Sequence, residues 1–160
     1  MSGLLPQPVL VVGGGIAGLT LSIALRQAGQ DVEIVELNPA WSVYGVGIIM
    51  QANALRALQR IGLSQACIAV GFPYHTSVHH EEDGTLRSAR QKPSLDQEGL
   101  PASCGILRPS LHALLRDTAL AAQAAEQMEA HRITSLLVVD EQARLCGALN
   151  SNDLMRAKVI

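Results

Sequence analysis

The stretch VLVVGGGIAGLT, residues 9–20, constrains the fold of this chain more than any other. Its apolar run Val9–Val12 has the length of a short strand buried on both faces, and the glycines that follow open a helical pattern over Ile16–Gln27. Gly29 fits the position just past the end of that helix, and DVEIVE, residues 31–36, reads as a second strand. A strand, a tight turn, a helix and a second strand within about forty residues predict a βαβ unit.

The glycines follow the spacing GxGxxG between the predicted strand and the predicted helix. In that context the first glycine permits the tight turn, the second lets a pyrophosphate approach the backbone, and the third lets the helix pack closely on the strand. Glu36 follows Gly13 by 23 positions, near the ~20 at which an acid binds the ribose hydroxyls of an adenosine. The predicted cofactor-binding residues are Gly13, Gly15, Ala17, Gly18 and Glu36.

The same acid predicts the kind of adenosine that this loop would bind, and a reading without a ligand also remains open. Because Glu36 would repel a 2′-phosphate, the expected adenosine is unphosphorylated. The alternative is a glycine-rich turn that serves packing alone and is closed by a solvated carboxylate.

The composition favours an α/β fold and narrows the class of partner. Hydrophobic residues make up 48% of the 160 residues and aromatic ones only 2%, so aliphatic side chains must supply the core. The formal charge is -2 without a basic cluster, which argues against nucleic acid or an anionic membrane as partner. The uncharged run 9–25 is glycine-broken and shorter than the ~20 residues of a membrane span, so we expect a soluble, cytoplasmic protein.

The remaining pattern predicts shorter elements. In chain order they are a loop at 41–47, a helix at 53–60 ended by Gly62, a hairpin at 74–90 turning on Asp83 and Gly84, a loop at 92–103, a helix of about twenty residues from Pro109, strands at 135–140 and 144–149, and a short helix capped by Asn152 or Asp153.

No catalytic or metal constellation stands out. The three cysteines lie far apart in the sequence, at Cys67, Cys104 and Cys146. Their odd number and spacing predict reduced structural thiols. Three histidines lie in the predicted hairpin, at His75, His79 and His80. Since neighbours in a strand point to opposite faces, a metal site is not expected there.

Three segments together resemble the N-terminal part of a known family. They are residues 9–36, GVGIIMQANALRALQRIGL at 45–63 and CGILRPSLHALL at 104–115. Over residues 1–120 their order and spacing resemble the FAD-dependent aromatic hydroxylases, the single-component flavoprotein monooxygenases. One departure is Ala52, where many relatives have proline.

The resemblance implies both a cofactor and a reaction. FAD would lie across the glycine loop, with Glu36 at its ribose and Arg108 of the R-x-x-L-H segment at the flavin nucleotide. Without the resemblance, the position of Arg108 just before a helix that starts with proline would let its guanidinium reach a phosphate there. The alternative is that Arg108 is an ordinary surface arginine. NAD(P)H would be the reductant and an aromatic compound the substrate. The implied fold is a Rossmann-like FAD-binding βαβ core with a partial β substrate region, weakly active or inactive alone because the family pattern stops near residue 120.

Residues 121–160 resemble something else, the last CBS motif of bacterial arabinose 5-phosphate isomerases. The resemblance rests on AAEQMEAHRITSLLVVDEQARLCGALNSNDLMRAKVI and implies an α-β-β-α half motif, and two such motifs normally form adenine nucleotide sites. Asp153 would then bind a ribose. In this sequence Asn150 stands where the motif usually has Ser or Thr. The alternative role of Asp153 is to cap a helix. The expected domains are 1–120 and 121–160.

Alternatives follow from this tail. It could make the chain an adenine nucleotide-binding or homodimerisation module, or the chain could be a non-functional fusion of two truncated genes. Two arrangements of the tail are expected as alternatives. The tail forms a unit of its own, or residues 135–140 add a strand to the parallel sheet beside Val9–Val12, connected by a right-handed helical crossover.

Overall fold

The computed structural model describes residues 7–41, 43–93, 99–139, 142 and 144–156. Its helices are α1 (Ile16–Gln27), α2 (Ala52–Arg60), α3 (Ser64–Val70), α4 (Arg108–His131) and α5 (Ser151–Arg156). Its strands are β1 (Val9–Val12), β2 (Val32–Val35), β3 (Gly47–Gln51), β4 (Phe72–Tyr74), β5 (Thr76–His80), β6 (Leu86–Gln91), β7 (Ser103–Leu107), β8 (Ser135–Val139) and β9 (Leu145–Asn150). The chain divides into two compact units, the first formed by residues 1–35 and 115–160 and the second by residues 36–114.

The first unit begins with the predicted βαβ arrangement. Strands β1 and β2 pair in parallel, with Val9 opposite Val32, and α1 connects them. Gly29 has a φ of 81° just beyond the helix, and the N–H of Gln30 donates to the carbonyl of Leu25. This arrangement satisfies a carbonyl of the last turn and needs a residue that tolerates positive φ. The predicted bounds of β1 and α1 and the glycine stop are confirmed, and β2 is one residue shorter at each end than the predicted strand 31–36.

The burial of β1 differs from the expectation. Val11 is 7% exposed, but Leu10 and Val12 are 57% and 80% exposed. Within the described residues β1 pairs only with β2. Helix α1, in which Leu19 and Ile23 are buried, contacts this two-stranded sheet. A single covering helix buries one face, so the prediction that β1 is buried on both faces was wrong.

The tail forms a hairpin instead of extending the parallel sheet. Strands β8 and β9 pair antiparallel, with Leu136 opposite Leu149 and an irregularity between Val138 and Val139. In the described part of the chain, β8 has no pairing with β1. The α-β-β-α order of elements is therefore present, and the arrangement in which residues 135–139 join β1 is not. The resemblance to a CBS motif stays a prediction.

The cap of α5 lies two positions before Asn152, the nearer of the two residues expected to cap it, so that prediction was wrong. The side-chain oxygen of Asn150 accepts hydrogen bonds from the N–H groups of Asn152 and Asp153 at 2.9 and 3.2 Å. The carboxylate of Asp153 accepts in turn from the Asn150 N–H at 2.9 Å. This reciprocal pair is a capping box. Asn150 is thus the N-cap, and Asp153 supports it from inside the helix.

The second unit is built on a sheet that the sequence pattern did not predict. Its strands lie in the order β3-β7-β4, all antiparallel, with Gly105 of β7 opposite both Ile49 and Phe72. Helix α3 was also missed. Helices α2 and α3 contact this sheet, and the buried side chains of the unit include Leu55, Leu58, Cys67, Cys104 and Ile106.

The predicted hairpin is present in the second unit as β5 and β6. Gly84 has a φ of 83°, and the Asp83 carboxylate accepts hydrogen bonds from the N–H and hydroxyl of Thr85 at 2.9 and 2.7 Å. These bonds fix the turn because aspartate pairs with backbone groups two residues on. The prediction of a hairpin around this dipeptide is confirmed.

Helix α4 is longer than predicted and runs from the second unit into the first. The boundary expected at residue 120 falls inside this continuous helix, and as a division between two modules it stays a prediction. None of the helices in the described residues is long and apolar enough to cross a membrane.

Candidate functional site

The glycine turn lies between β1 and α1 and is tied to the end of β2. Gly13 has a φ of 103°, a region that L side chains rarely adopt. Its N–H donates to the carbonyl of Val35 at 2.7 Å. The first glycine of the motif therefore makes the turn that the sequence predicts for it.

Gly18 brings the first turn of α1 close to the backbone of the loop. A β-carbon on Gly18 would collide with the carbonyl oxygen of Gly13 and would lie 3.2 Å from Cγ1 of Val11. Only a residue without a side chain permits this close approach. The geometry agrees with the packing role predicted for the third glycine.

Gly15 sits where a ligand can approach. It is the N-cap of α1, with extended φ and ψ of -74° and 179°, and no side chain caps the helix or places a negative charge in its first turn. A β-carbon on Gly15 would meet no atom of the described residues within 4 Å. The first amides of a helix lack intrahelical acceptors and carry the positive end of its dipole, so they attract anions. Open space before such a terminus, with exposed Ala17 in the first turn, fits a pyrophosphate.

Glu36 directly follows β2 and belongs to the second unit. Its Oε1 accepts a hydrogen bond from the backbone N–H of Asn38 at 2.8 Å, and the side chain is half-buried. The local hydrogen bond orients the carboxylate at the end of the strand, which is the position that the sequence predicted.

Arg108 is the first residue of α4 and is exposed. Its N–H donates to the carbonyl of Val46 at 3.4 Å. A β-carbon on Gly45, whose φ is 145°, would lie 3.1 Å from Cδ of Arg108. The aliphatic part of the first residue of α4 thus lies against Gly45, a glycine of the loop before β3.

The structure places two of the cysteines together. Cys67 and Cys104 are both fully buried and unoxidised, and the Cys104 thiol lies 3.9 Å from the carbonyl oxygen of Cys67. Burial raises the pKa of Cys67 to about 11, with a smaller contribution from the neighbouring Cys104 thiol. Burial also raises the pKa of the Cys104 thiol. Both thiols are therefore protonated at neutral pH, as inert structural thiols are. Among the described residues, no group of three or more His, Cys, Asp or Glu side chains is arranged to hold a metal ion.

One cluster of polar side chains was not found from the sequence. The ammonium of Lys92 donates to the Tyr74 hydroxyl at 3.2 Å and to Oγ of Ser103 at 3.4 Å. It also lies 4.7 Å from the centre of the Tyr74 ring. The three residues come from segments separated by ten or more positions, and no local motif connects them.

Comparison with known proteins identifies the family. The model of the FAD binding domain family matches residues 7–148. Aurachin C monooxygenase/isomerase of Stigmatella aurantiaca is 49% identical over 63 residues, 39% of this chain and 16% of that protein. The 3-amino-4-hydroxybenzoate 2-monooxygenase PtmB3 of Streptomyces platensis is 32% identical over 107 residues, 65% of this chain and 27% of that protein.

A solved structure agrees with these matches. The tetrameric form of 2-methyl-3-hydroxypyridine-5-carboxylic acid oxygenase is 26% identical with a TM-score of 0.59, over 88% of this chain and 36% of that one. The chain spans less than a third of the length of the curated relatives that it matches. The family match covers most of the chain and includes the glycine turn: the chain belongs to the FAD binding domain family, and it is an FAD-binding domain related to flavin-dependent aromatic monooxygenases.

Proposed function

We propose that this chain holds the ADP half of FAD at the N-terminus of α1. The observation that carries the proposal is the environment of Gly15. Its missing side chain leaves open space directly before an uncapped helix N-terminus, where amide groups and the helix dipole favour the pyrophosphate. Gly13 supplies the turn, and the amides of Ala17 and Gly18 face the phosphates from the first turn.

Two side chains complete the proposed binding set. Glu36, held by the Asn38 N–H, accepts hydrogen bonds from the ribose hydroxyls of the adenosine. Arg108 contributes a guanidinium to a phosphate, and its planar donors suit that geometry better than an ammonium would. In this role Gly45 matters because any larger residue would displace the aliphatic part of Arg108.

The activity that we propose for the protein is that of an NAD(P)H-dependent aromatic monooxygenase. When bound, FAD supplies the redox chemistry, taking electrons from NAD(P)H and using oxygen to hydroxylate an aromatic ring. The residues of this chain bind and orient the adenine end of the cofactor. The names of the relatives support an aromatic substrate, since they include 3-amino-4-hydroxybenzoate 2-monooxygenase and salicylate hydroxylase.

The test is the flavin retained by protein purified with added FAD. Gly15→Val fills the space needed by the pyrophosphate, so this variant is expected to lose the visible absorbance of bound flavin. Gly147→Val is the matched control, because Gly147 lies in β9 and an added β-carbon there also meets no atom within 4 Å in the part of the chain that the structure describes. It should retain flavin like the unmodified chain. Equal retention by Gly15→Val, or no retention by the unmodified chain, contradicts the proposal.

We infer a second candidate function from the exposed apolar side chains of the β8–β9 hairpin. Leu137 and Leu145 are 73% and 66% exposed, and apolar surface of this kind is stabilised by pairing with a second copy. The hairpin would then act as a dimerisation module. The resemblance of the tail to a CBS motif further predicts that it binds an adenine nucleotide. Size-exclusion chromatography at several concentrations tests it, and a monomer at every concentration contradicts it.

A further inference from the structure

A solvent-accessible cleft of about 260 Å³ opens in the second unit. It lies where β3 ends and α2 begins, and its polar side chains come from Gln51, Asn53, Lys92 and Ser103. Ser103 is 1% exposed, whereas Gln51 and Asn53 are exposed at the rim. The proposed roles of the glycine turn, Glu36 and Arg108 use none of these residues.

Lys92 gives the cleft its charge. Its ammonium is half-buried and is held by the Tyr74 hydroxyl, the Ser103 hydroxyl and the face of the Tyr74 ring. These groups carry no formal charge, and none of the described residues places a carboxylate within ion-pair distance of Lys92. An ammonium has three N–H donors, and the described residues accept hydrogen bonds from two of them. A partly buried cation with a remaining donor favours an anionic ligand.

The sheet surface next to the cleft is apolar and has a recess at its centre. Ile49 and Phe72 lie opposite Gly105 on the two flanking strands and are 62% and 74% exposed. Among the described residues, a β-carbon on Gly105 would have only the carbonyl oxygen of Phe72 within 4 Å, at 3.9 Å. A planar group could therefore lie on the backbone of Gly105 between the two apolar side chains.

The recess and the cation lie close enough for one small molecule to use both. Gly105 and Ser103 are two residues apart on β7, so they share a face and are separated by about 6.8 Å along the strand. Gln51 and Tyr74 both pair with Ser103 in the register of the sheet. One face of the sheet thus carries an apolar row, Ile49, Gly105 and Phe72, beside a polar row, Gln51, Ser103 and Tyr74. The Lys92 ammonium contacts the polar row.

We propose that this cleft is a carboxylate subsite, in which Lys92 binds the acid group of a small aromatic acid whose ring lies on Gly105. As an assignment of substrate class, the inference rests on the proposed monooxygenase function. As an assignment of a binding site, it stands on the cleft alone. Lys92 supplies the charge-assisted hydrogen bond, and Tyr74 and Ser103 hold its ammonium in place.

Isothermal titration with benzoate tests the subsite, with benzamide as the uncharged ligand of similar shape. Lys92→Met keeps the aliphatic chain and removes the charge, so benzoate affinity is expected to fall about tenfold or more while benzamide affinity changes little. Lys92→Arg should retain most of the benzoate affinity. Arg90→Met is the matched control, since this exposed cation lies on β6, two positions before Lys92, which follows the strand.

Three outcomes overturn the subsite: no benzoate binding by the unmodified chain, equal benzoate affinity in Lys92→Met, or an equal loss in Arg90→Met. Inorganic phosphate separates the chemical classes, because phosphate binding tighter than benzoate and equally dependent on Lys92 would make this a general anion site and exclude the aromatic acid. Retained FAD, measured in the same samples, keeps the two proposals distinct. Flavin retention without benzoate binding removes only the subsite, and benzoate binding without flavin removes only the proposed function.

Discussion

The carbonyl oxygen of Gly13 occupies the space into which a side chain on Gly18 would project. Gly15, between them in the same turn, faces open space instead. The motif therefore contains one glycine required for packing and another whose missing side chain leaves room for a ligand.

This difference predicts effects of unequal size on stability for two alanine substitutions. Gly18→Ala is expected to lower the free energy of unfolding by about 2 kcal/mol, because the added methyl group forces the helix away from the loop. Gly15→Ala is expected to change it by less than about 0.5 kcal/mol, since its backbone angles suit any residue and its β-carbon meets nothing. Urea denaturation without FAD measures both. Similar losses in the two variants would contradict the distinction.

The βαβ unit could be predicted because its signals are local. The run of valines and leucine, the glycine spacing and the stop at Gly29 all lie within thirty residues, and each has a direct backbone consequence. The glycine turn of the candidate site followed from the same signals. The exposure of Val12 could not be predicted, because it depends on which strands lie beside β1.

The sheet of the second unit had no such signals. Strand β3 is a glycine, three consecutive apolar residues and a glutamine, β4 contains a proline, and β7 has a glycine at its centre. These strands are defined by pairings such as Ile49 with Gly105, more than fifty positions apart. The cleft at Lys92 was missed for the same reason, since its side chains meet only when the sheet forms.

The buried thiol of Cys67 predicts a loss of stability at alkaline pH. Burial raises its pKa from 9.0 to about 11 in the folded chain. Between these values the unfolded chain releases a proton that the folded chain keeps, so the free energy of unfolding falls as pH rises from 9 to about 11. Denaturation curves across this range should show a shallower decline for Cys67→Ala. An identical decline in both proteins would contradict the assignment.

The capping box of α5 predicts a local effect at the tail. Asn150→Ala removes the acceptor for the N–H groups of Asn152 and Asp153 and should cost about 1 kcal/mol of helix stability. Hydrogen exchange of these two amides is expected to accelerate. Asn152→Ala is the control, because Asn152 contributes its backbone N–H to the cap and not its side chain. Unchanged exchange in Asn150→Ala would show that Asn150 does not cap the helix.

The position of Arg108 predicts a dependence of FAD affinity on its guanidinium. Arg108→Ala is expected to weaken FAD binding about tenfold or more, because it removes a charge-assisted hydrogen bond to phosphate. Arg108→Lys should recover only part of the loss, since an ammonium lacks the planar pair of donors. Flavin fluorescence titration measures the affinity. Arg116→Ala, on the same helix and paired with Asp117, is the matched control, and equal effects at both arginines would exclude the assigned role of Arg108.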